Sequence, residues 1–158
     1  MKGPSDLESF IKRNGIMATL MVVGDAATSM KAAASLGIDI DRIMKTVIFL
    51  DDLERPLAVM LRGSRKVNQN ALAKQLGARK IRLAAREEVV KLTGYEAGGV
   101  PPIDLPLDSV LDSELASMGG VVYAGGGDSR TLLEISIEDI IRLQHPRILS
   151  VSIPQQLQ

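Results

Sequence analysis

The run from Ile43 to Leu50, IMKTVIFL, is the clearest strand of the chain, an almost unbroken apolar run with one lysine inside it. An apolar run of this kind, without polar alternation, reads as a strand covered on both faces. A chain that contains it must place other layers against either side of the strand. Asp51, Asp52 and Glu54 follow as a polar turn, and Pro56 to Leu61 returns as a second strand, so a hairpin is predicted. With 158 residues there is material for one domain and its core, and residues 1–158 are expected to form a single unit. Aromatic residues are 3% of the chain, so the core must be aliphatic. The same scarcity disfavours RNA recognition by stacked aromatic platforms.

Around the hairpin, helices and strands mix without regular alternation. Ser5 and Glu8 form a capping-box pattern that opens a first helix, ending near Asn14. Met17 to Val23 reads as a strand, and Thr28 or Ser29 caps an Ala-rich helix closing at Leu36-Gly37. Asn68 caps a helix ended by Gly77, Lys80 to Leu83 is a short strand, and Arg86 to Leu92 is a helix. Tyr95 to Asp104 holds two glycines and two prolines and must be a shaped loop. Leu105 to Leu111 reads as partly extended, and Asp112 as the cap of a short helix to Met118. Val121 to Ala124 and Thr131 to Ile135 are strands; Ser136 caps a last helix, and the tail after Pro146 adds one edge strand. This pattern predicts an α+β fold over a doubly wound one.

Several chemistries are excluded. There is no cysteine, which removes disulfides, thiol catalysis and Cys-ligated metals. His145 is the only histidine, so a Ser-His-Asp triad would have to be built on it, and a His-rich metal site is impossible. No carboxylate pair reads as a hydrolase dyad. No metal and no cofactor is expected. Met1 to Asn14 lacks the apolar segment of a signal peptide, and no run approaches a membrane span. The expected location is the cytoplasm.

The net charge of zero is unevenly distributed. From Arg55 to Arg86 there are nine basic residues and no acid. Such a block suggests a face for a polyanion, with the alternative that acids from elsewhere lie against it in space. Within the apolar strand, Lys45 is the anomaly. A buried ammonium is costly unless paired, so it either snorkels out or is held for a purpose. Spacing alone favours snorkelling. Gly98-Gly99-Val100-Pro101-Pro102 could expose backbone N–H groups to an oxyanion, although such loops are common as plain turns. Gly125-Gly126-Gly127 lacks the Gly-Lys-Ser/Thr ending of a P-loop and reads as a strand connection.

Taken in order, these segments form a specific pattern. It runs from the Ala-rich helix through Met44-Lys45-Thr46 and Lys66-Val67-Asn68 to Leu76-Gly77. It continues through Lys80-Ile81-Arg82-Leu83-Ala84, Gly98 to Pro102, and the triple glycine before Leu132-Leu133-Glu134-Ile135. The pattern resembles the YbaK/prolyl-tRNA editing domain family of aminoacyl-tRNA deacylases. The resemblance implies a curved, mostly antiparallel central sheet flanked by helices. It implies hydrolysis of the ester between a mischarged amino acid and the terminal adenosine of tRNA. The length fits the free-standing form, acting in trans on tRNA(Pro) carrying a residue such as Ala or Cys. The implied partners are the acceptor end of aminoacyl-tRNA and a prolyl-tRNA synthetase, with no DNA and no membrane.

The resemblance also assigns residues. Lys45 becomes the functional lysine, holding the substrate carbonyl or terminal phosphate. Thr46, Gly98, Gly99, Val100, Pro101, Pro102, Gly126 and Gly127 become the substrate site, with the amides of Gly99 and Val100 facing the ester. Arg62, Arg65 and Lys66 are expected to be exposed and to contact the RNA. The resemblance makes activation of the attacking water by the substrate's own ribose hydroxyl an available route, and leaves open whether that hydroxyl drives hydrolysis. The chain departs from some relatives, with Asp128, Ser129 and Arg130 where a histidine can stand and Thr46 where alanine-specific members carry Asn. A non-catalytic tRNA- or nucleotide-binding module is the alternative.

Overall fold

The computed structural model describes residues 1–24 and 36–155. The Ala-rich helix expected to close at Leu36 lies almost wholly outside them. At the centre, β2 (Met44–Asp51) and β3 (Pro56–Arg62) form the expected antiparallel hairpin, with Lys45 opposite Leu61 and Phe49 opposite Leu57. Asp51 builds its turn. One carboxylate oxygen accepts the N–H groups of Leu53 and Arg55, both at 2.9 Å, and the other accepts from the Arg55 side chain at 2.7 Å. These bonds, the Arg55 N–H foremost, hold the carboxyl below the usual carboxylate range.

β5 (Ile81–Leu83) pairs antiparallel with β2. On the other side, β6 (Asp108–Asp112) joins β3 in parallel, and β9 (Arg147–Leu149) joins β6 in parallel. The sheet order is therefore β5-β2-β3-β6-β9. A second, antiparallel sheet has the order β1-β8-β7, formed by Thr19–Val22, Thr131–Ser136 and Val121–Gly125 respectively. A two-stranded ribbon pairs β4 (Arg65–Val67) with β10 (Ser152–Pro154). Most pairings are antiparallel, and the described helices flank the sheets, as expected for this α+β fold. They are α1 (Pro4–Arg13), α2 (Gln69–Leu76), α3 (Arg86–Thr93), α4 (Ser113–Met118) and α5 (Ile137–Gln144).

The apolar run of β2 is covered on both faces, by alternate residues. Met44 packs with Met60, Leu7, Leu115 and Leu133. Phe49 packs on the opposite face with Val59, Leu61 and the α2 residues Leu72 and Ala73. Ile48 and Leu50 lie under Val89 of α3 and the loop residues Tyr95 and Val100.

Local signals hold where the cap is a side chain with no competing partner. Asn68 Oδ1 accepts the Ala71 N–H at 3.1 Å to start α2, and Gly77 ends it at φ +71°. Ser136 Oγ accepts the Asp139 N–H at 3.1 Å to start α5. Two caps differ from expectation. α1 begins at Pro4, because proline at the first helical position presets φ, so Gly3 is the cap and its N–H donates to Asp6 at 2.9 Å. Ser5 and Glu8 are thus inside the helix. Asp112 makes no cap; its buried carboxylate accepts from Val151 N–H at 3.0 Å and Ser152 Oγ at 2.7 Å. That pair of bonds fixes the tail, which contributes two strands where one was expected.

Candidate active site

β5 covers only Phe49 to Asp51 on the outer edge of β2. β7 meets the beginning of that edge through a single bridge, Ile43 to Tyr123. Between them the edge around Thr46 has no strand paired to it among the described residues, and a cavity of about 280 Å³ lies against it. The Ile48 carbonyl accepts the Ala84 N–H at 2.9 Å on this side of the strand. Strand alternation turns the backbone groups of Thr46 the same way, toward the gap. Ala97, Gly98 and Val100 from the loop after α3 form one wall, and Ala124, Gly125 and Leu132 form another. Asp128 and Ser129, from the β7–β8 connection, supply polar groups.

Lys45 lines this cavity and is half-buried. It takes part in no ion pair among the described residues. Burial pushes its pKa below the ordinary lysine value. Beside it, Thr46 is 7% exposed and its hydroxyl has no hydrogen-bond partner among the described residues. A buried donor without a partner is costly, so both side chains are suited to a bound polar ligand. Among the described residues, no three His, Asp or Glu side chains cluster to hold a metal ion.

The glycine–proline loop is held in place from behind. Tyr95 is fully buried and donates its hydroxyl to Asp104 at 3.0 Å. Lys2 reaches the same carboxylate at 3.3 Å and sits 5.6 Å from the Tyr95 ring centre. Burial, with the Asp104 charge second, raises the Tyr95 hydroxyl above the ordinary tyrosine value.

The two glycine stretches pack against each other. A Cβ on Gly99 would stand 2.4 Å from Asp128 Cα, and one on Gly125 would stand 2.3 Å from the Val100 carbonyl oxygen. Gly99 is also saturated: its N–H donates to the Glu96 carbonyl at 2.9 Å and its carbonyl accepts from Gly127 at 2.9 Å. This corrects the expectation that the Gly99 amide faces an ester. The Val100 N–H has no protein acceptor among the described residues.

The structure therefore brings Lys45, Thr46, Gly98 and Val100 together and leaves the other expected site residues behind the walls. Pro101 and Pro102 are buried outside the cavity lining. Gly126 and Gly127 are close-packing positions, whose added Cβ atoms would meet the Thr131 carbonyl oxygen and the Pro4 nitrogen, each at 2.7 Å. Sequence reasoning missed Gly125, Asp128, Ser129 and the apolar walls. The polar residues after the triple glycine were the available signal.

The basic residues also sort differently from expectation. Arg62 binds Glu114 and Asp41, and Arg65 binds Glu114 at 3.1 Å and Ser152 Oγ at 2.7 Å. Both guanidiniums are partly buried, because α4 and the tail fold back over the end of β3. Of the three residues expected to be exposed, only Lys66 is.

Comparison with known proteins decides the family. The aminoacyl-tRNA editing domain matches residues 23–143. The chain belongs to that family. The editing domain is 34% identical over 104 residues to a proline–tRNA ligase of Caldicellulosiruptor bescii, covering 66% of this chain and 18% of the ligase. It is 30% identical over 137 residues to that of Ligilactobacillus salivarius, covering 85% of this chain and 22% of the ligase. It thus spans about a fifth of the length of these curated relatives. Among solved structures, hypothetical protein APE2540 superposes with a TM-score of 0.84 at 37% identity, covering 93% and 99% of the two chains. A candidate trans-editing enzyme for prolyl tRNA synthetase gives a TM-score of 0.85 at 22% identity, covering 95% and 96%, a likeness of fold.

Proposed function

We propose that the editing domain is a trans-acting aminoacyl-tRNA deacylase, and that its substrate is tRNA(Pro) carrying a small non-cognate residue such as Ala or Cys. The observation that carries this reading is Lys45, a half-buried cation without an ion-pair partner among the described residues, on the wall of a small cavity. In this reading the anion that completes the site is the substrate. Lys45 holds the terminal phosphate or the ester carbonyl, and the hydroxyl and backbone groups of Thr46 fix the sugar end. The Val100 N–H receives the developing oxyanion.

An aminoacyl ester is already activated, so positioning and oxyanion stabilisation supply most of the catalysis. Water attacks the ester carbonyl carbon, and the bond to the ribose oxygen breaks. The proton of the water passes through the neighbouring ribose hydroxyl to that leaving oxygen. The products are the free amino acid and intact tRNA. A cavity of about 280 Å³ has room for a small aminoacyl group. The partners in this reading are the acceptor end of tRNA and a prolyl-tRNA synthetase, in the cytoplasm.

A deacylation panel tests the proposal, using tRNA(Pro) charged with Ala, Cys and Pro, together with Ser- and Thr-charged tRNAs. Hydrolysis of Ala- or Cys-tRNA(Pro) above the uncatalysed rate is expected. Binding without hydrolysis of any member would favour a non-catalytic tRNA-binding module.

A further inference from the structure

The nine-cation block from Arg55 to Arg86 is not one surface. Four of its members are neutralised by acids from outside the block: Arg55 by Asp51, Arg62 and Arg65 by Glu114, and Arg82 by Glu88 and Glu54. The Arg82 pair is tight enough to pull the Glu88 carboxyl down to about 2, the Arg82 hydrogen bond foremost. Lys66, Lys74, Arg79, Lys80 and Arg86 are exposed, and among the described residues none of them makes an ion pair.

Three of these unpaired cations converge. Lys74, Arg79 and Lys80 line a groove of about 490 Å³ between α2 and the start of β5, which Gln69 and Asn70 also line. Among the described residues no carboxylate lines it. Asp52, next to it, accepts the backbone N–H of Arg79 at 3.0 Å and makes no ion pair with its guanidinium. Its lining therefore carries three positive charges and neutral hydrogen-bond donors, a combination that fits phosphodiesters.

The groove is also placed for a strand of RNA that ends in the cavity. Ile81, at one end of β5, lines the groove, and Leu83, at the other end, lines the Lys45 cavity. Two residues of extended strand span about 7 Å, close to one nucleotide step. From this sorting of charge we infer that the α2–β5 groove, with Lys74, Arg79 and Lys80, is the surface that grips the phosphates of the tRNA acceptor end. This rests on the deacylase reading for the identity of the RNA. It moves the RNA contact away from Arg62 and Arg65, which are already occupied.

The test is the triple variant Lys74→Ala/Arg79→Ala/Lys80→Ala, measured by binding to uncharged tRNA across a salt series and by deacylation kinetics. A charge-matched control, Lys12→Ala/Arg13→Ala/Arg142→Ala, removes exposed cations from α1 and α5. The groove variant is expected to bind tRNA about ten- to a hundredfold more weakly, with the slope of log K against log salt reduced in magnitude by about 2. KM for aminoacyl-tRNA should rise with kcat retained, the pattern of lost uniform binding. The control should match wild type. An unchanged affinity and slope in the groove variant, an equal loss in the control, or no tRNA binding by wild type would each overturn the inference. Wild-type protein that binds tRNA through the groove yet hydrolyses no ester would leave the groove standing and remove the deacylase reading.

Discussion

Lys45 occupies a position that a hydrophobic residue would fill at lower cost, in a strand whose neighbours Met44, Ile48 and Phe49 are all buried. Among the described residues its ammonium makes no ion pair, and burial lowers its pKa. The sign of the pH dependence follows. The folded protein releases this proton at a lower pH than the unfolded chain, so the site's contribution to stability rises with pH between the depressed value and 10.5. Activity that needs the cation moves the other way. Once background ester hydrolysis is subtracted, kcat/KM should fall on the alkaline side below the ordinary lysine pKa, and Lys45→Met should lack that titration. A flat alkaline profile for wild type would show that the charge is not used. The glycines give a second residue-scale contrast. Gly98→Ala places its Cβ at an ordinary 3.6 Å from Ser129 Cβ, whereas Gly99→Ala drives one to 2.4 Å from backbone. Urea unfolding should show Gly98→Ala close to wild type and Gly99→Ala destabilised by about 1–3 kcal/mol. Equal stabilities would mean that the loops can separate freely.

At the scale of elements, α2 carries two duties, covering the Phe49 face of the sheet and bearing Lys74 at the groove. Its start depends on one side chain, and Asn68→Ala should lower stability by about 1 kcal/mol in a denaturant melt, while Asn68→Asp restores it. No loss in Asn68→Ala would show that packing alone sets the helix start. Local features of this kind were legible in sequence: the β2–β3 hairpin, the Asn68 and Ser136 caps, and the irregular loop from Tyr95 to Asp104. Features set by long-range partners were not. Asp112 has the sequence of a cap but is taken by Val151 and Ser152, 39 and 40 positions away. Arg65 to Val67 becomes a strand only because Ser152 to Pro154 pairs with it. Gly99, Gly126 and Gly127 carried the right residue type for a ligand loop, and only the packing shows that they admit neighbouring backbone instead.

Across the whole molecule, the site is a place where the central sheet is left incomplete. β5 stops short, β7 forms only one bridge, and the unpaired edge of β2 becomes the floor of a cavity whose walls come from two glycine loops. Lys45 and the family pattern were visible in the sequence, but the gap was not, because it depends on where two other strands end. The groove beyond β5 extends the same surface to a polyanion, so recognition and chemistry lie on adjoining parts of one sheet edge. The central claim is that this edge, through Lys45, performs ester hydrolysis. The most direct measurement is single-turnover deacylation of the best substrate from the panel by wild type and Lys45→Met, paired with thermal melts of both. The account predicts a variant whose Tm is equal to or above that of wild type, and whose rate is lower by about 10²-fold or more. A folded Lys45→Met protein that deacylates at the wild-type rate would contradict it.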